Sequence, residues 1–156
     1  MENAMVKETT HTGVSPSLED YLEAIYWISE KKLVARARDI AELLEVTRSA
    51  VTTALKQLNA EGLVHYDPYS YATLTDRGKQ IAQDVIRRHE VLTSFLQDCL
   101  RLPSAKAAQY ACAIEHTIND DICARLEEFM QFWAATPQMR HKWLERLKKW
   151  EEKTQR

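Results

Sequence analysis

Residues 47–66, Thr47-Arg48-Ser49-Ala50-Val51-Thr52-Thr53-Ala54-Leu55-Lys56-Gln57-Leu58-Asn59-Ala60-Glu61-Gly62-Leu63-Val64-His65-Tyr66, decide the fold. Val51, Leu55 and Leu58 recur at helical spacing, so a helix is expected from Thr47 or Arg48 to about Glu61. Gly62 is placed to end it as a left-handed residue. The pattern then changes to the alternation of a strand in Leu63-Val64-His65-Tyr66. Asp67-Pro68-Tyr69-Ser70 is turn chemistry, and Tyr71-Ala72-Thr73-Leu74 reads as the returning strand.

Upstream, Ala37 to Leu44 forms a short helix with Ile40, Leu43 and Leu44 inward, joined to the next through a turn at Glu45-Val46. Before it, Ser15-Pro16-Ser17 opens a helix in which Leu22, Ile25, Tyr26 and Ile28 share a face and Lys31-Lys32 suit the C-terminal dipole. A helix, a tight turn, a second helix and a small hairpin spell a winged helix-turn-helix over 15–76, behind a flexible tail at 1–14. Downstream, 77–156 reads as a linker helix and a helical metal-binding and dimerisation domain, so the fold class is mainly α. The linker helix opens at Thr75-Asp76-Arg77-Gly78 and carries a stripe of Ala82, Val85, His89, Leu92, Phe95, Leu96 and Leu100, ending at Pro103. Three helices follow, over about Ser104–Thr117, Asn119–Trp133 and Gln138–Trp150. Their Ile122, Leu126, Phe129, Trp133, Trp143, Leu147 and Trp150 exceed what one small lobe covers, and a homodimer would bury them.

Composition agrees with a helical protein: 156 residues hold only three glycines and four prolines. The net charge of −2 gives no global attraction to nucleic acid, so DNA binding must come from local basic patches. Cys99, Cys112 and Cys123 are an odd set that suits a reducing cytoplasm better than a disulfide framework. No run of about eighteen apolar residues suggests a membrane span.

In the helix at 47–61, Thr47, Arg48, Ser49, Thr52, Thr53, Lys56 and Gln57 lie off the apolar stripe, and no acid stands between Thr47 and Asn59. Small hydroxyls let a helix approach base edges and thymine methyls, while Arg48 and Lys56 supply charge for guanine or phosphate. Arg36, ahead of the second helix, joins this candidate set for double-stranded operator DNA. A solvated helix face would look similar; the order of elements favours DNA. A dimer would present two such helices to half-sites about 34 Å apart, or a multiple of that.

Cys112-Ala113-Ile114-Glu115-His116 offers a thiol, a carboxylate and an imidazole at i, i+3 and i+4 of a helix. Asp20 and Glu23 form a second i, i+3 carboxylate pair, and His89 adds an imidazole. Each has a plain explanation: His89 as a satisfied core histidine, Cys112 as a small hydrophobe, Asp20 and Glu23 as first-turn acids. Together they favour a metal, because a carboxylate on the half-apolar face of Ala108, Cys112, Glu115 and Asn119 needs a cation. Cys99 and Cys123 read as core, and His11, His65 and His141 have no ligand partner nearby in sequence.

With these motifs in order, the chain resembles the DtxR/MntR family of metal-dependent transcriptional repressors. The resemblance runs from about Ser17 to Trp133 and rests on Leu18-Glu19-Asp20-Tyr21-Leu22-Glu23-Ala24-Ile25-Tyr26, Asn59-Ala60-Glu61-Gly62-Leu63-Val64, Leu74-Thr75-Asp76-Arg77-Gly78, Arg88-His89-Glu90 and Cys112 to His116. It implies a metal cluster at Asp20, Glu23, His89, Glu115 and His116, as in the manganese branch, with Cys112 where that branch has a glutamate. Cys112 looks like the iron branch, which has methionine where Asp20 stands. Thr93 and Ala108 replace the carboxylate and imidazole of the iron branch's ancillary site, and the chain looks like the short form without an SH3-like domain. The donor set suits Mn²⁺, favoured over Fe²⁺, with Co²⁺ or Zn²⁺ also compatible with a thiolate. The implied function is repression of metal-homeostasis genes by a cytoplasmic homodimer that is not an enzyme. The rival is a winged-helix regulator answering an organic ligand or partner, whose operator binding would survive a chelator.

Overall fold

The computed structural model describes residues 13–32, 34–67 and 71–154. Helix α1 (Pro16–Lys32) starts with proline in the first turn, where no N–H is needed, and the Ser15 carbonyl accepts Leu18 N and Glu19 N at 2.9 and 3.0 Å. Leu18, Tyr21, Leu22, Ile25 and Ile28 are its buried face. Most of the expected tail lies outside the described residues. Val14, assigned to that tail, is instead buried in the first core, where Gly13 (φ +72) turns the chain onto the helix.

Helix α2 (Ala37–Leu43) buries Ile40 and Ala41, with Leu44 packed against the same core. The expectation for Leu43 is corrected: it is 53% exposed, because one turn of helix that points Ile40, Ala41 and Leu44 inward leaves Leu43 on the other side. Glu45 takes φ 55 in the turn. Helix α3 (Arg48–Ala60) is capped by Thr47, whose Oγ1 accepts Ala50 N at 3.2 Å. Its end is a Schellman motif: Leu63 N donates to Leu58 O (2.9 Å), Gly62 N to Asn59 O (3.1 Å), and Gly62 has φ +70.

The wing is a two-stranded antiparallel sheet of β1 (Val64–Tyr66) and β2 (Ala72–Leu74), with Val64 opposite Leu74 and Tyr66 opposite Ala72. Ala35 extends it by an isolated bridge to Ala72, with bonds of 3.2 and 2.7 Å. Of the expected turn, residues 68–70 lie outside the described residues. The hairpin is tied to the next helix through Thr75, whose N donates to Leu63 O (3.0 Å) and whose hydroxyl donates to Gly62 O (2.9 Å) and accepts from Gly78 N (3.1 Å). A Cβ on Gly78 would fall 1.9 Å from Leu63 O, so only glycine fits this crossing.

Helix α4 (Asp76–Ser94) contributes to both compact units of the chain, which divide between Arg87 and Arg88. Ile81 and Ala82 belong to the first core; Val91 and Leu92 belong to the second, with Ala111, Ile118 and Cys123. A π-helical turn, Phe95–Cys99, follows directly. This corrects the expected stripe. The wider turn holds one residue more than an α-helical one, so Cys99 faces inward and Leu100 is 50% exposed. Arg101, at φ 60, then reverses the chain.

In the second unit come α5 (Ser104–Glu115), α6 (Asp120–Ala135) and α7 (Pro137–Thr154). Asn119 caps α6, its Oδ1 accepting Ile122 N at 2.9 Å. Helix α7 buries no residue, and Trp143 and Trp150 are exposed. An apolar pocket of about 400 Å³ is lined by Phe95, Cys99, Leu100, Phe129, Phe132, Trp133, Met139 and Trp143. Phe129 packs edge-on to Phe95 and stacks on Trp133, with centroids 5.8 and 5.9 Å apart. No described helix is long and apolar enough to cross a membrane.

Candidate metal centre and nucleic-acid interface

The strongest chemistry lies at the end of α5. Its buried stripe is Ala107, Ala111 and Glu115, one residue away from the face expected through Ala108 and Cys112. The small alanines let α5 approach its neighbours closely and carry Glu115 into the interior, where it is fully buried. His89 Nδ1 lies 2.6 Å from Glu115 Oε2, a short charge-assisted contact. An imidazole that directs Nδ1–H at a carboxylate is held in one orientation and presents Nε2 as its donor atom. His116 Nε2 lies 3.5 Å from Glu115 Oε1, and that oxygen has no hydrogen-bond partner among the described residues. Burial of a carboxylate oxygen without a bond is costly, and a cation offsets that cost. A mixed carboxylate, imidazole and thiol donor set is also what divalent first-row ions take.

The other expected ligands are placed as follows. Cys112 is exposed on α5, about 60° around the helix from Glu115. In the first unit, Asp20 and Glu23 are half-buried on α1, and Glu23 Oε1 accepts Trp27 Nε1 at 3.2 Å. Cys99 and Cys123 are buried, as expected of core residues, and burial pushes the Cys99 thiol up from its usual range. The sequence reading missed two buried charges, Glu19 and Arg88. Glu19 had a signal, since it stands three residues before Leu22 on the apolar side of α1. Arg88 had none beyond following another arginine.

On α3, the side chains expected at DNA form an exposed ridge. The Thr52 hydroxyl donates to Arg48 O (2.9 Å) and that of Thr53 to Ser49 O (3.1 Å), while Ser49 Oγ shares a bond with Thr47 Oγ1 at 3.0 Å. Their donor hydrogens are thus spent on the helix, which leaves methyl groups and lone pairs outward. Gln57 is occupied with Glu61 at 3.0 Å. Arg48 and Lys56 make no ion pair among the described residues, so the ridge's cations are available to phosphate or guanine. Arg36 is exposed and precedes α2 with extended backbone.

Comparison with known proteins gives a consistent picture. Residues 14–72 match the family description "iron dependent repressor, N-terminal DNA binding domain", and residues 75–144 match "iron dependent repressor, metal binding and dimerisation domain". An HTH-type transcriptional regulator of Methanocaldococcus jannaschii is 39% identical over 119 residues, covering 76% of this chain and 95% of that protein. The HTH-type transcriptional regulator MntR of Bacillus subtilis is 34% identical over 119 residues, covering 76% of this chain and 83% of that protein. Among solved structures, the manganese regulator SloR is similar with a TM-score of 0.68 and 32% identity over 76% of this chain. The chain spans only 55% of the SloR chain's length.

Proposed function

This chain belongs to the iron-dependent repressor family, and from that membership we propose a ligand set of Asp20, Glu23, His89, Cys112, Glu115 and His116 for the ion that governs its DNA binding. The protein is a metal-dependent transcriptional repressor. The observation that carries the ligand reading is the buried Glu115 carboxylate, held by His89 and lacking a hydrogen bond on Oε1. When bound, a divalent cation supplies the positive charge that offsets the three carboxylates of the set. Mn²⁺ is the favoured activator, with Fe²⁺ next and Co²⁺ or Zn²⁺ also accommodated through Cys112; MntR and SloR, both similar to this chain, support manganese. Affinity alone does not choose the activator, since zinc tends to bind nitrogen and sulfur sites more tightly than manganese.

The DNA partner is double-stranded operator DNA in the cytoplasm, contacted by Arg36, Thr47, Arg48, Ser49, Thr52, Thr53 and Lys56. The working unit is a homodimer formed through residues 77–156, and the activity is regulation, not turnover. Asp20 and Glu23 come from the residues that carry the DNA-binding elements, and the other four come from the second unit. Ligands drawn from both make DNA binding and metal binding mutually dependent: whatever factor the ion adds to operator affinity, DNA adds to ion affinity.

The test is operator or promoter-pool binding by purified protein, titrated anaerobically with Mn²⁺, Fe²⁺, Co²⁺ and Zn²⁺ beside a chelator control. Binding that appears with metal and is removed by chelator is the expected result, with Mn²⁺ the most effective. Binding indifferent to both would overturn the reading.

A further inference from the structure

Two neighbouring side chains of α4 grip one residue of α5. Arg88 Nη1 donates to the main-chain oxygen of Glu115 at 3.3 Å, and His89 Nδ1 stands 2.6 Å from that residue's Oε2. Glu115 is the last helical residue of α5, so its carbonyl lacks an intrahelical donor. The nearby donors of the chain end are used elsewhere: Thr117 N and Thr117 Oγ1 both go to Ile114 O, at 2.8 and 2.7 Å. Arg88 is what remains for Glu115 O.

Arg88 is an expensive way to satisfy one carbonyl. It is 1% exposed, and its Nε has no acceptor among the described residues. A guanidinium buried with so little compensation costs stability, and an apolar side chain of similar volume would pack there at lower cost. Packing therefore does not account for it.

We infer that Arg88 is a positioning residue for the ion site: it fixes the backbone of Glu115 while His89 fixes the carboxylate, and so sets the direction of Glu115 and of His116, which follows it. A single contact would leave Glu115 free to pivot. Two contacts from consecutive residues of one helix turn α4 and the end of α5 into a rigid frame for the donors. Misplaced donors weaken a site even when every ligand is present. The inference rests on Glu115 and His116 being ligands.

The test uses the full chain and Co²⁺, read by its visible ligand-field absorption, beside thermal unfolding of the metal-free protein. Arg88→Lys keeps the buried charge and loses the planar fork, so it isolates position from charge. It is expected to weaken Co²⁺ binding about 10- to 100-fold and to change the positions and intensities of the bands. Thr117→Val loosens the same helix end without touching Arg88 and is expected to lower the melting temperature while leaving the spectrum unchanged. Wild-type affinity and spectrum in folded Arg88→Lys would overturn the inference. Loss of the bands is required of Glu115→Gln; if that variant binds Co²⁺ as the parent does, the ligand reading itself fails, which is a separate result. Should Arg88→Lys not fold, nitrogen NMR of the wild-type Arg88 guanidinium decides. Resolved, slowly exchanging Nη signals that shift on Zn²⁺ loading support the frame, and an averaged or metal-insensitive signal overturns it.

Discussion

Glu115 is dehydrated by the fold before any ion arrives, and its only short bond is to an imidazole that is itself an expected ligand. Such a carboxylate is worth little to stability and much to binding. Glu115→Gln is therefore expected to leave metal-free stability within about 2 kcal/mol of the parent, because a buried charge is exchanged for a neutral isostere. The same change should lower metal-dependent operator affinity by about a hundredfold, measured by DNA titration with and without Mn²⁺. A different carboxylate, Asp39, carries a pH dependence. The Lys32 hydrogen bond at 2.9 Å is the largest influence on it and holds its carboxyl below the ordinary value, against the opposing effect of burial. A depressed folded value means stability that is present at neutral pH and lost as pH falls through that value. Lys32 is 60% exposed in its side chain, so solvent screens the pair and Lys32→Met should cost only about 0.2–1 kcal/mol at neutral pH. Urea denaturation of both proteins should show the gap closing in acid.

The helix-turn-helix and wing hang on a few backbone contacts that side-chain patterns only partly disclose. Gly78→Ala places a Cβ against Leu63 O and is expected to cost about 1–3 kcal/mol, read from urea or thermal unfolding. Arg48→Ala is expected to weaken operator binding by about 1–3 kcal/mol while leaving metal affinity in the absence of DNA unchanged, a pair of values that calorimetry and DNA titration provide. Much of this architecture was legible. Gly62 announced the end of α3 because a left-handed residue there has few substitutes, and the stripe Val51, Leu55, Leu58 fixed which face of α3 is buried. Periodicity failed where geometry departs from a straight α-helix. Leu100 continued the stripe of α4 on paper but faces out after the π-helical turn, and Leu43 was assigned inward on a helix too short to set its own phase. On α5 the stripe was displaced by one residue because Ala107 and Ala108 are chemically equal, so that sequence alone could not tell which one packs. Arg88 was illegible for a related reason: its partner is a main-chain oxygen, which leaves no trace in side-chain spacing.

The protein as a whole has a net charge of −2, yet no acid stands between Thr47 and Asn59. Attraction to DNA is thus confined to one ridge of the first unit, and its strength should depend on salt through the few phosphates that ridge reaches. The second unit exposes Ile122, Phe129, Phe132, Met139, Trp143 and Trp150, an apolar surface larger than a monomer usually tolerates. The expected homodimer covers it. Trp143→Glu should shift the protein from dimer to monomer in sedimentation by at least about tenfold in dissociation constant, since a buried aromatic anchor of this kind is worth roughly 2 kcal/mol or more. The monomer should lose operator affinity even when metal is saturating.

The π-helical turn at Phe95–Cys99 also sets how this chain tolerates changes in length. A surface loop absorbs an added or deleted residue with little effect, but here the count itself is structural. Removing one residue from this turn would let the helix continue in ordinary α geometry and rotate everything after it by about 100°. Leu100 would then occupy the interior place of Cys99, and the downstream aromatic surface would swing away from its partner. In this segment substitution is the gentler form of variation, and a one-residue deletion would act as a change of quaternary structure.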